Sequence, residues 1–401
     1  MSTAFFSSLK ATPVKDAELP LHDRGRLAKP SGIVTLSYNA TGSRLLVTRT
    51  DRSLRVWQTA ADRVPTAGAT IEATHDKPAE MISWHPAHEF TFATIGLDAD
   101  VKIWDCATLK KDKALLKTLR LGSSKTRLLF VAYSGLGRWL ACVDKENNVY
   151  LLDTTQGYHV AAHFQIRRDN VYSVAWCNTD DYLFVGLGDG SIAIYEVEAA
   201  EGDEGDDESS EAVVKQEGGE AEPKDVVMEA ETKPVSETQG TSNASEIADK
   251  HIVTTPLVTV SVTAYLPSQR SAVTALAFDP RGTYLASGSQ AGVLTLFPTD
   301  TLIPTHIVTD CDEPITDLDT SMEGTFVAAC FEKEPVRVYE TNGGLVQKYV
   351  VPESSGWKSW LRTCYAKVAW CPARTEFAYV GDDGKLAVVM KGVLGKEKRE
   401  H

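Results

Sequence analysis

Short runs in which apolar and polar residues alternate recur along the whole chain, separated by Gly, Asp, Asn and Ser. The first set is "IVTLSYN", "RLLVTRT" and "DRSLRVW". Later sets include "VYSVAWC", "YLFVGLG" and "DGSIAIY", then "AVTALAF", "YLASGSQ" and "AGVLTLF". Period-two alternation rich in Val, Ile, Tyr, Phe and Trp predicts half-buried strands, and the "DG", "TG", "RG" and "EG" dipeptides between runs predict tight turns. The third run of each set ends on a large or branched residue: Trp57, Trp104, Leu152, Tyr195, Phe297, Tyr339 and Val389. The steps between these residues are 47, 48, 43, 102, 42 and 50.

Only the step of 102 is out of line, and setting aside the 59 residues from Glu198 to Pro256 reduces it to 43. A fourth, more polar run follows several sets: "ALLKTLR", "HVAAHFQ", "PTHIVTD" and "LVQKYVV". Four strands per unit, at about 40 to 45 residues per unit, predict an all-β, seven-bladed WD40-type β-propeller with a disordered acidic insertion. Blades one to three and the first part of blade four occupy 31–198. The insertion takes 199–256, within blade four, and 257–394 completes blade four and holds blades five to seven. Residues 395–401 form a charged tail. After the third run of the last unit too little chain remains for a good fourth strand. The N-terminal arm, 1–30, is therefore expected to supply it through "AFFSSLKATPV" and to close the ring, since an open strand edge invites aggregation.

Aspartates stand six residues before four of the closing positions: Asp51, Asp98, Asp189 and Asp383. An aspartate there can bond the backbone of the turn between the second and third strands. Ala291 and Lys333 occupy the same place in repeats five and six, so no ring of carboxylates is kept, and a structural role is expected rather than a catalytic or metal-binding one. No Gly-His pair precedes a first strand; His75 is its remnant. No nucleophile elbow, phosphate loop or dinucleotide fingerprint occurs. His85 and His88 in "WHPAHEF" have an HxxH spacing without a cysteine nearby and read as turn residues. No catalytic residue, cofactor, metal site or small-molecule substrate is expected.

Charge changes the picture in one place. The net charge is -14, but the stretch from Glu198 to Lys250 holds 17 Asp and Glu against 4 Lys, which leaves the rest close to neutral. That stretch has no aromatic residue and is rich in Glu, Gly, Ser and Pro, so it cannot bury enough apolar surface to offset its chain entropy. Within it, Lys215 in "VKQE" fits the pattern for SUMO attachment, and Ser209 and Ser210 in "DESSE" suit an acidophilic kinase. Seven scattered cysteines without a CxxC pair fit a reducing compartment. No segment reads as a leader or a membrane span.

Two surface features stand out. "LKKDKALLKTLRLGSSKTR" carries Lys110, Lys111, Lys113, Lys117, Arg120, Lys125 and Arg127 against Asp112 alone. It reads either as a contact for RNA phosphates or, more simply, as a solvated edge strand protected by its lysines. "PESSGWKSWLRTCY" places Trp357 and Trp360 on the connection between blades six and seven, packed beneath it or displayed as partner anchors.

The order of the units adds a resemblance. "VYSVAWCNTDDYLFVGLGDGSIAIY", "AVTALAFDPRGTYLASGSQAGVLTLF", "PITDLDTSMEGTFVAACFEKEPVRVYETNGG" and "AKVAWCPARTEFAYV" resemble, in that sequence, the third subunit of the THO complex, the Tex-type WD40-repeat proteins, and the first two blades continue the likeness over 31–390. The resemblance implies a nuclear, non-enzymatic docking subunit of a THO-type (TREX) complex that couples transcription to mRNA packaging and export. Its partners would be other subunits of that complex, with RNA reached through the complex. The insertion and the Trp357 to Trp360 loop depart from the family pattern and inherit no partner. The alternative is a WD-repeat subunit of a chromatin-modifying or ubiquitin-ligase complex that reads a peptide at the channel mouth through a polar and aromatic cluster.

Overall fold

The computed structural model describes residues 6, 9–14, 31–60, 63–72, 74–107, 114–123, 125–199, 252–255, 258–310, 312–332, 334, 336–342, 345–349, 367–380 and 387–391. The chain opens with β1 (Lys10–Pro13). Blade one is β2 (Ile33–Tyr38), β3 (Arg44–Arg49), β4 (Leu54–Ala60) and β5 (Arg63–Ile71); blade two is β6 (Met81–Trp84), β7 (Thr91–Ile95), β8 (Asp100–Asp105) and β9 (Leu115–Arg120). Blade three is β10 (Leu128–Tyr133), β11 (Trp139–Asp144), β12 (Asn148–Asp153) and β13 (His159–Gln165). Blade four is β14 (Val171–Trp176), β15 (Tyr182–Leu187), β16 (Ser191–Ala199), β17 (Ile252–Thr254) and β18 (Val258–Pro267). Blade five is β19 (Val273–Phe278), β20 (Tyr284–Ser289), β21 (Leu294–Pro298) and β22 (His306–Val308); blade six is β23 (Ile315–Thr320), β24 (Phe326–Phe331), β25 (Val336–Glu340) and β26 (Leu345–Tyr349). Blade seven holds β27 (Val368–Trp370), β28 (Phe377–Val380) and β29 (Ala387–Lys391).

Every pairing is antiparallel, and β1 completes the seventh sheet, pairing with β29 from Lys10 opposite Lys391 to Pro13 opposite Val388. Strands from opposite ends of the sequence thus share one sheet, leaving β29 no free edge. The first strands of the blades, β2, β6, β10, β14, β19, β23 and β27, touch in a closed ring around a channel.

The core lies between blades. Leu46, Leu54 and Val56 of blade one pack on Trp84, Phe92 and Trp104 of blade two, and Ala93, Ile95 and Ile103 of blade two pack on Val131, Leu140 and Leu152 of blade three. All seven closing residues, from Trp57 to Val389, are buried, and each such side chain contributes roughly 1.5–3 kcal/mol. Second strands lie between two neighbouring blades and are buried on both faces: every residue of β11 and β20 is buried. Outer strands keep a solvent face; in β9 all residues but Leu119 are exposed.

Polar groups tie the ring at its inner edge. Ser173 Oγ donates to Val273 O at 2.7 Å, Thr274 Oγ1 to Ile315 O at 2.5 Å, and Tyr133 N to Ser83 Oγ at 2.9 Å. Trp84 Nε1 and Trp176 Nε1 each donate at 3.2 Å to the preceding blade, to Ser37 O and Ala132 O. Each bond joins two blades and is worth about 1 kcal/mol net.

Two elements differ from the sequence reading. β17 falls inside the stretch assigned to the insertion: it adds a fifth strand outside β18, and Val253 packs on the core between blades three and four. The acidic residues 200–251, with Lys215, Ser209 and Ser210, lie outside the described residues. β5 is the fourth strand of blade one, hidden in the sequence because Pro65 and Gly68 interrupt its pattern. Glycines at the turns between first and second strands take positive φ, as in Gly42 (66°), Gly282 (70°) and Gly324 (62°), a conformation only glycine adopts without strain.

Candidate functional site

One face of the ring carries the loops that lead into each first strand together with the turns between second and third strands; it is called the loop face below. Asp51 Oδ1 accepts from Ser53 N at 2.9 Å and Ser53 Oγ at 2.6 Å, and Asp189 Oδ1 from Ser191 N at 2.8 Å and Ser191 Oγ at 2.5 Å. Asp98 Oδ1 accepts from Asp100 N at 3.3 Å. Partial burial works against the charge on these three carboxyls, but the hydrogen bonds outweigh it and hold them below the usual carboxylate range. Asp383 lies outside the described residues. Blade three uses Asp144, which the six-residue spacing misses because its turn is longer: Asp144 Oδ1 accepts from Glu146 N at 3.0 Å and Asn148 N at 2.8 Å.

Asp98 does more than bond its turn. Trp104 Nε1 donates to Thr94 Oγ1 at 2.8 Å, Thr94 Oγ1 is 2.9 Å from His75 Nε2, and His75 Nδ1 is 3.3 Å from Asp98 Oδ2. Indole N–H only donates and the Asp98 carboxylate only accepts, so Thr94 Oγ1 accepts from Trp104 and His75 Nδ1 donates to Asp98. The tryptophan and aspartate of one short stretch are thereby joined through two buried residues upstream.

The rings of His85 and His88 meet at a tilt of 49°, with centroids 4.3 Å apart, in the turn after β6. Burial, with the neighbouring His88 adding to it, pushes the His85 pKa down to about 4, and neutral Nδ1 accepts from Ala87 N at 3.1 Å. Among the described residues no group of three His, Cys, Asp or Glu side chains could hold a metal ion.

The channel contains a cavity of about 580 Å³ bordered by all seven first strands. Two carboxylates on β23 face it. Asp317 Oδ2 accepts from Val368 N at 3.0 Å, and Asp319 Oδ2 from Trp370 N at 2.6 Å, binding blade six to blade seven. Lys367 Nζ is 3.6 Å from Asp317 Oδ1. Burial raises both carboxyls, Asp319 to about 7, against the opposing pull of their backbone hydrogen bonds. At the loop face a second cavity of about 610 Å³ forms the mouth, with Phe130, Tyr172, Leu276 and Pro314 on its walls and Gln290 and Glu332 at its rim. Tyr172 is 43% exposed there.

The basic stretch divides in space. Lys117 and Arg120 lie on the outer strand β9, where Lys117 Nζ donates to Gly157 O and Arg120 Nε pairs with Asp100 Oδ1 at 3.0 Å. Lys125 and Arg127 lie instead on the loop face, exposed, in the connection from β9 to β10. Lys110, Lys111 and Lys113 are outside the described residues, as are Trp357 and Trp360.

Seven blades closed by an N-terminal strand make this molecule a seven-bladed β-propeller built of WD40 repeats. The WD domain, G-beta repeat family matches residues 157–196 and 260–297. The first match runs from just before β13 to β16, so one sequence repeat supplies the outer strand of one blade and three strands of the next. Among curated proteins the chain is similar to Protein TEX1 of Saccharomyces cerevisiae, 24% identical over 79% of this chain and 63% of that protein. It is similar to THO complex subunit 3 of Arabidopsis thaliana, 18% identical over 90% of each chain. It is also 26% identical to EARP and GARP complex-interacting protein 1 of Rattus norvegicus, over 45% of this chain and 52% of that protein. The chain spans less than two thirds of the length of the TEX1 relative. These matches bear out the resemblance read from the order of the blades: the chain is a WD40 propeller similar to the Tex1 and THO subunit 3 proteins.

Proposed function

We propose that this chain is a non-enzymatic docking subunit of a nuclear THO-type assembly that couples transcription to mRNA packaging and export, with the other subunits of that assembly as its partners. The observation that carries this reading is the extent of the likeness to THO complex subunit 3: it covers 90% of both chains and so runs along the whole chain of blades, beyond any single repeat. A propeller offers loops, blade edges and a channel mouth on one rigid body, which suits simultaneous contacts with several partners. In this reading Trp357 and Trp360 anchor a partner, and Lys215, Ser209 and Ser210 are sites where modification would retune the acidic insertion.

The test is a tagged pull-down from nuclear extract, with and without nuclease and at two salt concentrations, read by mass spectrometry. Recovery of nuclease-resistant THO and export-factor subunits is the expected outcome, and recovery of histone-modifying or cullin-type components instead would overturn it. One observation favours that second, peptide-reading function: the mouth does combine aromatic walls, Phe130 and Tyr172, with polar groups, Gln290, Glu332 and Lys367. Phe130→Ala with Tyr172→Ala separates the two, because a peptide reader loses its partners and a subunit docked through blade sides keeps them.

A further inference from the structure

On the loop face, backbone hydrogen bonds string together loops that are distant in sequence. Lys145 N donates to Arg127 O at 2.9 Å, Ile166 N to Asn147 O at 2.9 Å, Gly188 N to Asn170 O at 3.0 Å, and Gln269 N to Gly190 O at 2.8 Å. The result is a continuous arc across blades three, four and five. It displays Lys125, Arg127, Lys145, Arg167, Arg168 and Arg270, all exposed. Arg168 is engaged: its Nε pairs with Asp189 Oδ2 at 2.7 Å and its guanidinium lies 4.4 Å from the centre of the Tyr265 ring. The other five pair with no carboxylate among the described residues.

Four acids share these loops with the six cations, Asp144, Glu146, Asp169 and Asp189, so the arc keeps an excess of two positive charges; Asp144 is buried in its own turn and Asp189 is paired with Arg168. The sign reverses at the next sector, where Asp310, Asp312, Glu313, Glu332 and Glu334 flank the first and second strands of blade six and Arg337 pairs with Asp310 and Glu334. Tyr172 stands beside the arc, against the Gly188 turn, with its ring on the wall of the mouth.

We propose that this arc binds single-stranded RNA, with phosphates on Lys125, Arg127, Lys145, Arg167 and Arg270 and a base stacked on Tyr172. Long cationic side chains spread along a curve match a run of phosphates, and an exposed ring beside them supplies the sequence-tolerant stacking that single strands use. An acidic peptide would engage the cations but has no need of the ring. Ala199, at the far end of β16, is about 26 Å from Ser191 at 3.3 Å per residue, so that end of the strand is remote from the arc. This site is separate from the THO docking reading and survives or fails without it.

The test is fluorescence anisotropy of a labelled single-stranded uridylate oligomer with the full chain across a range of salt. Arg127→Glu, Lys145→Glu and Arg167→Glu combined should weaken binding at least about tenfold and reduce the slope of log affinity against log salt by about 2, near 0.7 for each phosphate no longer neutralised. Tyr172→Ala should weaken it about fivefold or more and leave the slope unchanged. Thermal midpoints are measured alongside, with the corresponding Gln triple as a milder second variant, so that weakened binding is distinguished from unfolding. Absence of binding at low salt, or binding indifferent to both triples, overturns the proposal. So does a loss carried instead by Lys117→Gln with Arg120→Gln, which moves the RNA to the edge of blade two. Equal competition by a polyglutamate peptide with no effect of Tyr172→Ala reassigns the arc to an acidic protein partner.

Discussion

In the channel, Asp319 accepts hydrogen bonds from Trp370 N at 2.6 Å and Thr320 N at 2.8 Å, and burial still pushes its pKa up to about 7. The folded protein therefore keeps a proton that the unfolded chain, titrating near 4, has already released. The contribution of this group to stability falls as pH rises from about 4 to about 7 and is level above that. Asp319→Asn keeps an acceptor for Trp370 N and cannot ionise. It should raise the unfolding midpoint at pH 8 and change it little at pH 5, as measured by urea melts at both; an equal shift at the two pH values would count against the argument. The turn carboxylates act in the opposite sense. Asp51, Asp98 and Asp189 lie below the usual range, so what they contribute is present near neutrality and lost in acid. Gly190 belongs to the same turns: its φ is 85° and a Cβ there would lie 2.2 Å from Gln269 O, so only glycine lets the blade-four turn meet the next loop.

A single blade is too thin to hold its own core, and blade two shows what compensates. Its buried chain of bonds ties the second strand (Thr94), the third (Trp104), their turn (Asp98) and the preceding loop (His75). His75→Ala breaks two of the three bonds and leaves a hole, whereas Trp104→Phe removes one donor and keeps most of the ring volume. His75→Ala is expected to cost about 2–3 kcal/mol and Trp104→Phe about 1 kcal/mol. Denaturant titration of both single variants and the double variant checks this, with a sum of costs in the double variant showing that the residues do not act as one network. The outer strand β9 is the contrasting element, exposed along nearly its whole length, with Lys117 and Arg120 near its end. Charge on such an edge discourages pairing with another chain.

The molecule as a whole depends on closure. Phe6, 1% exposed, meets Phe326 edge-on at 4.6 Å and Trp370 at 6.3 Å, so the arm that supplies β1 is also anchored between blades six and seven. Phe6→Ala should cost about 3–5 kcal/mol, the range for a fully buried Phe. Removing residues 1–14 should lower the midpoint further and expose the edge of β29, with higher-order species on size-exclusion chromatography. A monomeric truncation of unchanged midpoint would show that the ring closes without the arm.

The period of alternation, the turn glycines and the large residues closing each third run are local properties. A strand needs a packed face every second residue and a tight turn needs a residue free at positive φ, and these requirements are written in consecutive positions. Hence the all-β propeller and its seven blades were legible without coordinates, whereas β5 and β17 were not, one broken by Pro65 and Gly68 and the other only three residues long. What only the tertiary structure decided is which residues meet across blades. His75 and Thr94 complete the bonds of Asp98 and Trp104. Asp319 reaches Trp370 across 51 positions and acquires its raised pKa from a channel that exists only once the ring is closed. Arg127, Lys145, Arg167 and Arg270 converge on one arc although each comes from a different loop. Charge carries no periodicity of its own, so its placement on a face follows from the ring that packing builds.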